Sequence, residues 1–173
     1  HYRWTRMWTR LQLEAQLNQA LRKLSQDGFT KRFVCPAFGG ANRVGELKSI
    51  TVTRRGRSGK AMAIVIQGTG GTWTVQKEFL IRKALSHAGK MLPSANIVLS
   101  DDRTAGGKLA TLTARGGGFG HGVGMSQYGA GALSRRGYHY SQILQHYYRG
   151  VAIGTLPITF PHTHDHDQKD DAP

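Results

Sequence analysis

The sequence predicts an α+β fold, an antiparallel β meander with a few helices packed on it. Two patterns carry the prediction. Leu13, Leu17, Leu21 and Leu24 recur at helical spacing, which gives one apolar face of an amphipathic helix. Between Leu47 and Gln76, short runs rich in β-branched and apolar residues are separated by glycine-containing turns, the pattern of linked hairpins.

Residues 2–8 alternate large and polar side chains and read as a short strand whose tryptophans serve the core, with a sugar groove as the other use. Thr9 offers an N-cap and Gln12 completes a capping box, so a helix is expected over 10–26, closed by Gly28. Glu14 is expected on its exposed side. Pro36, Gly39, Gly40 and Asn42 make 28–45 irregular. Strands follow at 47–53, 61–67 and 72–76, joined by turns at 55–59 and 68–71. A short helix is expected over 77–86, and strands at 96–99 and 108–114 flank a turn at Asp101-Asp102. Helices are expected from the first turn at Ser126 and Gln127 to about Gly137, and over 140–148, before an extended segment at 151–160. The expected domain is 1–160, and 161–173 reads as a disordered acidic and histidine-containing tail without core formers. Its alternating His and Asp could hold a divalent metal only weakly.

With 173 residues the chain can bury a sizeable core, and its apolar runs fall short of the roughly 20 residues that span a bilayer. It begins His1-Tyr2-Arg3-Trp4 without an initiator Met, and reads as a processed or truncated piece. Net charge is +14, from 24 Lys+Arg against 10 Asp+Glu, which implies an anionic partner: nucleic acid, a membrane surface or an acidic wall polymer. No nucleic-acid motif accompanies the charge and the basic residues are scattered, so no nucleic-acid partner is expected. Cys35 is the only cysteine, which excludes an intrachain disulfide; it is expected to be small and buried.

The chain is organised around residues 116–130, where seven glycines surround His121, Ser126, Gln127 and Tyr128. Alternating Gly-X spacing from Gly116 to Gly124 cannot hold a helix. Met125, Tyr128, Ala132 and Leu133 then fit one helical face. A glycine loop therefore feeds a helix N-terminus, where backbone N–H groups can receive an anion or oxyanion. A structural glycine turn with a buried histidine is the other reading of the same pattern. A phosphate loop is excluded, because no Gly-Lys-Ser/Thr ends the run.

The eleven residues Gly120-His-Gly-Val-Gly-Met-Ser-Gln-Tyr-Gly-Ala130 resemble the signature of the SpoIID/LytB family, bacterial stage II sporulation protein D relatives that include amidase enhancers. Tyr128 and Phe119 stand where tryptophan is usual, and Gly117 where many members have arginine. Supporting segments are Tyr2-Arg-Trp-Thr5, Gly45–Val52, Arg57-Ser-Gly-Lys60 and Gln142–Tyr148, so that the resemblance covers roughly 1–156. It implies a SpoIID-like domain in the cell envelope, periplasmic or extracytoplasmic. The implied work is on peptidoglycan glycan strands, as a lytic transglycosylase cleaving MurNAc–GlcNAc bonds or as a non-catalytic enhancer of an N-acetylmuramoyl-L-alanine amidase. Substrate contact is implied for Gly120, His121, Gly122, Gly124, Ser126, Gln127 and Tyr128, with no cofactor and no metal.

Family members use a glutamate in their N-terminal half as general acid, ahead of an alanine-rich helix, and neither feature occurs in this sequence. Glu14, Glu46 and Glu78 do not match that position. The expectation is therefore a C-terminal portion of the domain, with no catalytic residue identified in this chain and the general acid upstream. Partners implied are glycan strands, a cell-wall amidase, and membrane or envelope association through the N-terminal portion.

Overall fold

Thr9 ends the first strand and starts the first helix. Its Oγ1 accepts the Gln12 N–H at 3.3 Å, and the Gln12 side chain accepts the Thr9 N–H at 3.0 Å, the reciprocal box that the sequence predicts. In this computed structural model, which describes residues 3–154, the helix (α1, Arg10–Gln26) buries Leu13, Leu17, Ala20, Leu21 and Leu24 along one face. The chain divides into two compact units, the first ending at Val123 and the second beginning at Gly124.

The first unit holds two antiparallel sheets. One is the predicted meander, β3 (Leu47–Arg55), β4 (Ala61–Gly68) and β5 (Gly71–Gln76), extended at one edge by the two-residue β2 (Val34–Cys35) in the order β2-β5-β4-β3. The other has the order β1-β7-β6, from β1 (Arg3–Thr9), β6 (Ile97–Arg103) and β7 (Leu109–Gly117). Here the whole of β1 lies along β7, from Arg3 opposite Gly117 to Thr9 opposite Thr111. α1 packs on β1, β7 and the short helix α2 (Glu78–Ala84), and α2 packs on β4 and β5. One core results, joining Trp4 and Trp8, the α1 leucines, Ile64, Ile66, Trp73, Ile81, Ile97, Leu112 and Ala114. Both N-terminal tryptophans thus serve the core.

Four expectations need correction or extension. The fold has two sheets, because β1 returns to β7. Asp101 and Asp102 lie within β6, where β7 pairs with them, and the turn falls at Thr104–Gly107, closed by the Gly107 N–H to the Thr104 carbonyl at 2.9 Å. Asp101 is held there by Arg103 at 2.7 Å and Asp102 by the Thr111 hydroxyl at 2.8 Å. Cys35 is exposed, since strand alternation sends Val34 inward and Cys35 outward. Glu14 is half-buried, accepting the Leu47 N–H at 2.8 Å while paired with Arg10 at 2.7 Å. Residues 151–154 carry no regular structure. The remainder of the predicted extended segment and the His/Asp tail lie outside the described residues.

The Trp4 indole lies across Gly116, so that a methyl group there would overlap its six-membered ring. Gly116→Ala should therefore cost about 1–3 kcal/mol. In a double-mutant cycle with Trp4→Leu, measured by chemical denaturation, most of that cost should vanish.

After α1, Asp27 Oδ1 accepts the Thr30 N–H at 2.8 Å and the Phe29 N–H at 3.0 Å. These bonds, that to Thr30 foremost, hold the Asp27 carboxyl below the usual carboxylate range. Its folded value is lower than its unfolded one. Its contribution is therefore complete above the unfolded carboxylate range and is lost as pH falls through the lowered value. As pH falls below about 4, Asp27→Asn should lose less thermal stability than the wild type, as read by melting curves.

Candidate functional site

Sheet pairing delivers the glycine loop. Where β7 ends, the Gly117 N–H donates to the Asn96 carbonyl at 3.0 Å, and the buried Ser94 hydroxyl donates to the Gly117 carbonyl at 2.7 Å. Trp4 Nε1–H reaches the Gly118 carbonyl at 3.2 Å, and the Gly120 N–H donates to the Pro93 carbonyl at 2.8 Å. The loop thus leaves the sheet clamped between the first strand and the 93–96 segment.

Beyond the clamp, Gly118, Gly120, Gly122 and Gly124 all take positive φ, between +67° and +89°. That region is strained for L side chains, which accounts for the alternating spacing. The intervening residues are turned outward: Phe119 is 74% exposed, Val123 is 73% exposed and His121 is exposed. The buried-histidine reading is therefore set aside. His121 Nδ1 accepts the Val123 N–H at 3.1 Å, so a neutral ring carries its proton on Nε2. The Lys60 side chain, from the β3–β4 turn, lies against Gly122, where any Cβ would overlap its ammonium end.

The second unit begins with the other half of the motif. Ser126 is the N-cap of α3 (Gln127–Arg135), and its Oγ accepts the Gly129 N–H at 3.1 Å. Its own O–H proton stays available to a ligand. The helix ends in a Schellman motif, with the Tyr138 N–H on the Leu133 carbonyl at 3.2 Å and the Gly137 N–H on the Ser134 carbonyl at 2.9 Å. From α4 (Tyr140–Tyr147) and the residue after it come two phenols. The Tyr148 hydroxyl accepts the Met125 N–H at 3.2 Å, and the Tyr147 hydroxyl fills the space beside Gly129 that a side chain would need. Gln127 is exposed, and Tyr128 is 91% exposed.

Of the predicted residues, Gly120, His121 and Gly122 belong to the first unit, and Gly124, Ser126, Gln127 and Tyr128 to the second. Sequence reasoning assigned no role to Lys60, Ser94, Tyr147 or Tyr148. Lys60 and the two tyrosines do lie in segments that carry the family resemblance, and that was the available signal.

Every acidic side chain among the described residues is already engaged. Beyond Glu14, Asp27, Asp101 and Asp102, Glu46 pairs with Lys108 at 3.1 Å and Glu78 with the buried Arg82 at 3.6 Å. Lys108 precedes the first residue of β7, so Glu46 sits at the far end of that strand from the glycine loop. No group of three or more His, Cys, Asp or Glu that could hold a metal occurs among the described residues.

Residues 1–124 match the family described as Domain of unknown function (DUF8618). The chain belongs to this family. The match ends within one residue of the boundary between the compact units, so the DUF8618 region coincides with the two-sheet unit. Among curated proteins, the DUF8618 chain is 54% identical over 47 residues to stage II sporulation protein D of Bacillus amyloliquefaciens, over 27% of this chain and 13% of that protein. It is 31% identical over 109 residues to the amidase enhancer of Bacillus subtilis (strain 168), over 61% of this chain and 15% of that protein. The stage II sporulation protein D of B. subtilis (strain 168) is 49% identical over 47 residues, 27% of this chain and 13% of its own length. The SpoIID/LytB resemblance is borne out by these matches. The chain spans only 13–15% of the length of these relatives.

If Ser126 serves α3 as its cap, Ser126→Ala should cost about 1 kcal/mol and Ser126→Asp should restore it. Hydrogen exchange at the Gly129 and Ala130 amides, faster in Ser126→Ala alone, checks this.

Proposed function

We propose that this chain works on the bacterial cell wall, gripping peptidoglycan glycan strands as part of a SpoIID-like lytic transglycosylase that cleaves MurNAc–GlcNAc bonds. The observation that supports this most is the glycine loop itself. Four alternating left-handed glycines expose backbone to a ligand and turn His121 outward with an unshared Nε2–H. A glycan offers hydroxyl oxygens and acetamide carbonyls, all acceptors for such donors. In the second unit, the Ser126 hydroxyl and Gln127 amide add donors and Tyr128 adds an exposed ring. An exposed aromatic face suits the apolar C–H face of a sugar. The names of the relatives, a sporulation protein and an amidase enhancer, agree with wall work.

In this reading the general acid is a carboxyl supplied from outside the described residues. Cleavage requires a carboxylic acid that protonates the glycosidic oxygen and then helps the 6-hydroxyl attack the anomeric carbon. The engagement of every described carboxylate with another protein group supports a second reading as well: a non-catalytic glycan-binding enhancer of an N-acetylmuramoyl-L-alanine amidase. Both place the protein in the cell envelope. None of the described helices is long and apolar enough to cross a membrane.

Muropeptide mass spectrometry of purified glycan strands, incubated with this chain and with its full-length parent, separates the readings. Anhydromuramyl products from the parent alone support the transglycosylase with its acid elsewhere. Products from this chain alone would overturn the view that it lacks the acid. Retained wall binding with no products from either supports the enhancer. In pull-downs with peptidoglycan sacculi, Tyr128→Ala and His121→Ala should each weaken binding by about tenfold, the equivalent of about 1.4 kcal/mol.

A further inference from the structure

Lys60 occupies an unusual position for a lysine. It is half-buried, its ammonium end lies against the backbone of Gly122, and it makes no ion pair or side-chain hydrogen bond among those of the described residues. A partly desolvated ammonium ordinarily finds an acceptor. The contact also comes from two backbones fixed to one frame. In the β3–β4 turn, Arg55 donates to the Gly59 carbonyl at 2.8 Å and to the Ile97 carbonyl at 2.9 Å. The Ala61 N–H donates to the Ala95 carbonyl at 2.8 Å. The glycine loop is tethered to the same segment through Asn96, Ser94 and Pro93. Residues 93–97 thus carry the turn and the loop together, and the Lys60 side chain reaches from one to the other. Gly122, at φ +67°, leaves room for that ammonium.

We infer that Lys60 forms a carboxylate subsite on the glycine loop, next to the exposed His121. The local groups on offer are donors: three N–H bonds of the ammonium and the Nε2–H of a neutral His121. No acidic side chain among the described residues is paired with either. An ammonium suits a carboxylate oxygen, and the charge-assisted bond is stronger than a neutral one. This inference rests on the glycan-binding reading and names the group recognised, the carboxylate that distinguishes a muramyl strand from a neutral chitooligosaccharide. That carboxylate is either the lactyl group of a stem-free strand or a carboxyl of the stem peptide.

The test compares the full chain with Lys60→Gln and Lys60→Arg on three probes: stem-free glycan strands, intact strands and chitohexaose. Lys60→Gln should lose about tenfold or more in affinity for a carboxylate-bearing strand, about one charge-assisted bond. Its affinity for chitohexaose should be unchanged, and Lys60→Arg should retain most of the preference. A loss confined to stem-free strands assigns the lactyl carboxylate, and one confined to intact strands assigns the stem peptide. Equal losses on all three probes, or none on any, would overturn the subsite. Amide chemical shifts of His121 and Gly122, titrated with N-acetylmuramic acid and with N-acetylglucosamine, give a reading that does not depend on strands. If no strand binds the wild type but the acid alone shifts these amides, and Lys60→Gln abolishes the shift, the strand reading fails and the subsite stands. No shift from the acid, with no loss on intact strands in Lys60→Gln, removes the subsite.

Discussion

The pairing of β1 with β7 is the constraint on which the first unit depends. Seven residues at the start of the chain lie in register against the strand that ends in Gly117. That register sets Trp4 over Gly116 and brings its indole N–H to the Gly118 carbonyl at 3.2 Å. A one-residue slip would turn both tryptophans to the solvent face and place a side chain where only glycine fits. The ring therefore does two things at once. It fills the core, and it fixes the direction in which the glycine loop leaves the sheet. Ser94 and Pro93 hold the same exit from the other side, so a stretch rich in glycine starts from a rigid base. Glycine supplies the geometry of this loop, and its neighbours remove the freedom that glycine would otherwise bring.

The second unit is stabilised differently. Of its described residues only Ile143 is buried, so a hydrophobic core contributes little. Its order comes from hydrogen bonds at chain ends. Ser126 caps α3, the Schellman turn closes it, and the Gln142 side chain accepts the His139 N–H at 2.9 Å to begin α4. The phenols of Tyr147 and Tyr148 reach back to the start of α3, at Gly129 and Met125. Terminal bonds of this kind contribute about 1 kcal/mol each, far less than a buried leucine layer. Such a unit leaves its polar and aromatic side chains outside.

Local signals made much of this fold legible. Thr9, Gln12 and the leucine spacing mark α1 from end to end, and the turns between β3, β4 and β5 carry their own glycines. Long-range pairing was not legible. Arg3 and Gly117 are 114 positions apart, and no local pattern announces that they are neighbours. The same cause explains the misplaced residues. Asp101-Asp102 has turn chemistry, yet β7 supplies a ladder that outweighs it. Glu14 looks like a surface residue on the helix until the Leu47 N–H, 33 positions on, becomes its partner. At the site, the glycine alternation was visible as a loop, and its left-handed φ values give the reason for the spacing. Ser126 reads in the sequence as part of the first helical turn, and the structure makes it the N-cap immediately before that turn. Lys60 was visible only as part of a similar segment, because its meaning depends on the shared 93–97 frame.

Within each unit the site residues offer hydrogen-bond donors to a ligand. His121 Nε2–H and the Lys60 ammonium in the first, and the Ser126 hydroxyl and Gln127 amide in the second, can all donate. The described carboxylates, the natural acceptors and acids, are already engaged with arginines, a lysine, a threonine hydroxyl or backbone N–H groups. Such a surface is matched to something rich in oxygen acceptors and net negative, and mismatched to a polycation. Glycosidic cleavage would need a proton from an acid other than these carboxylates. The net charge of +14 works in the same direction over longer distances. On the proposed reading it would draw an anionic polymer toward the protein, and the glycine loop would supply the short contacts that tell a glycan from other polyanions. Charge alone would capture any polyanion. On that reading the discrimination would fall to the left-handed loop, with its backbone bared and His121 Nδ1 accepting the Val123 N–H.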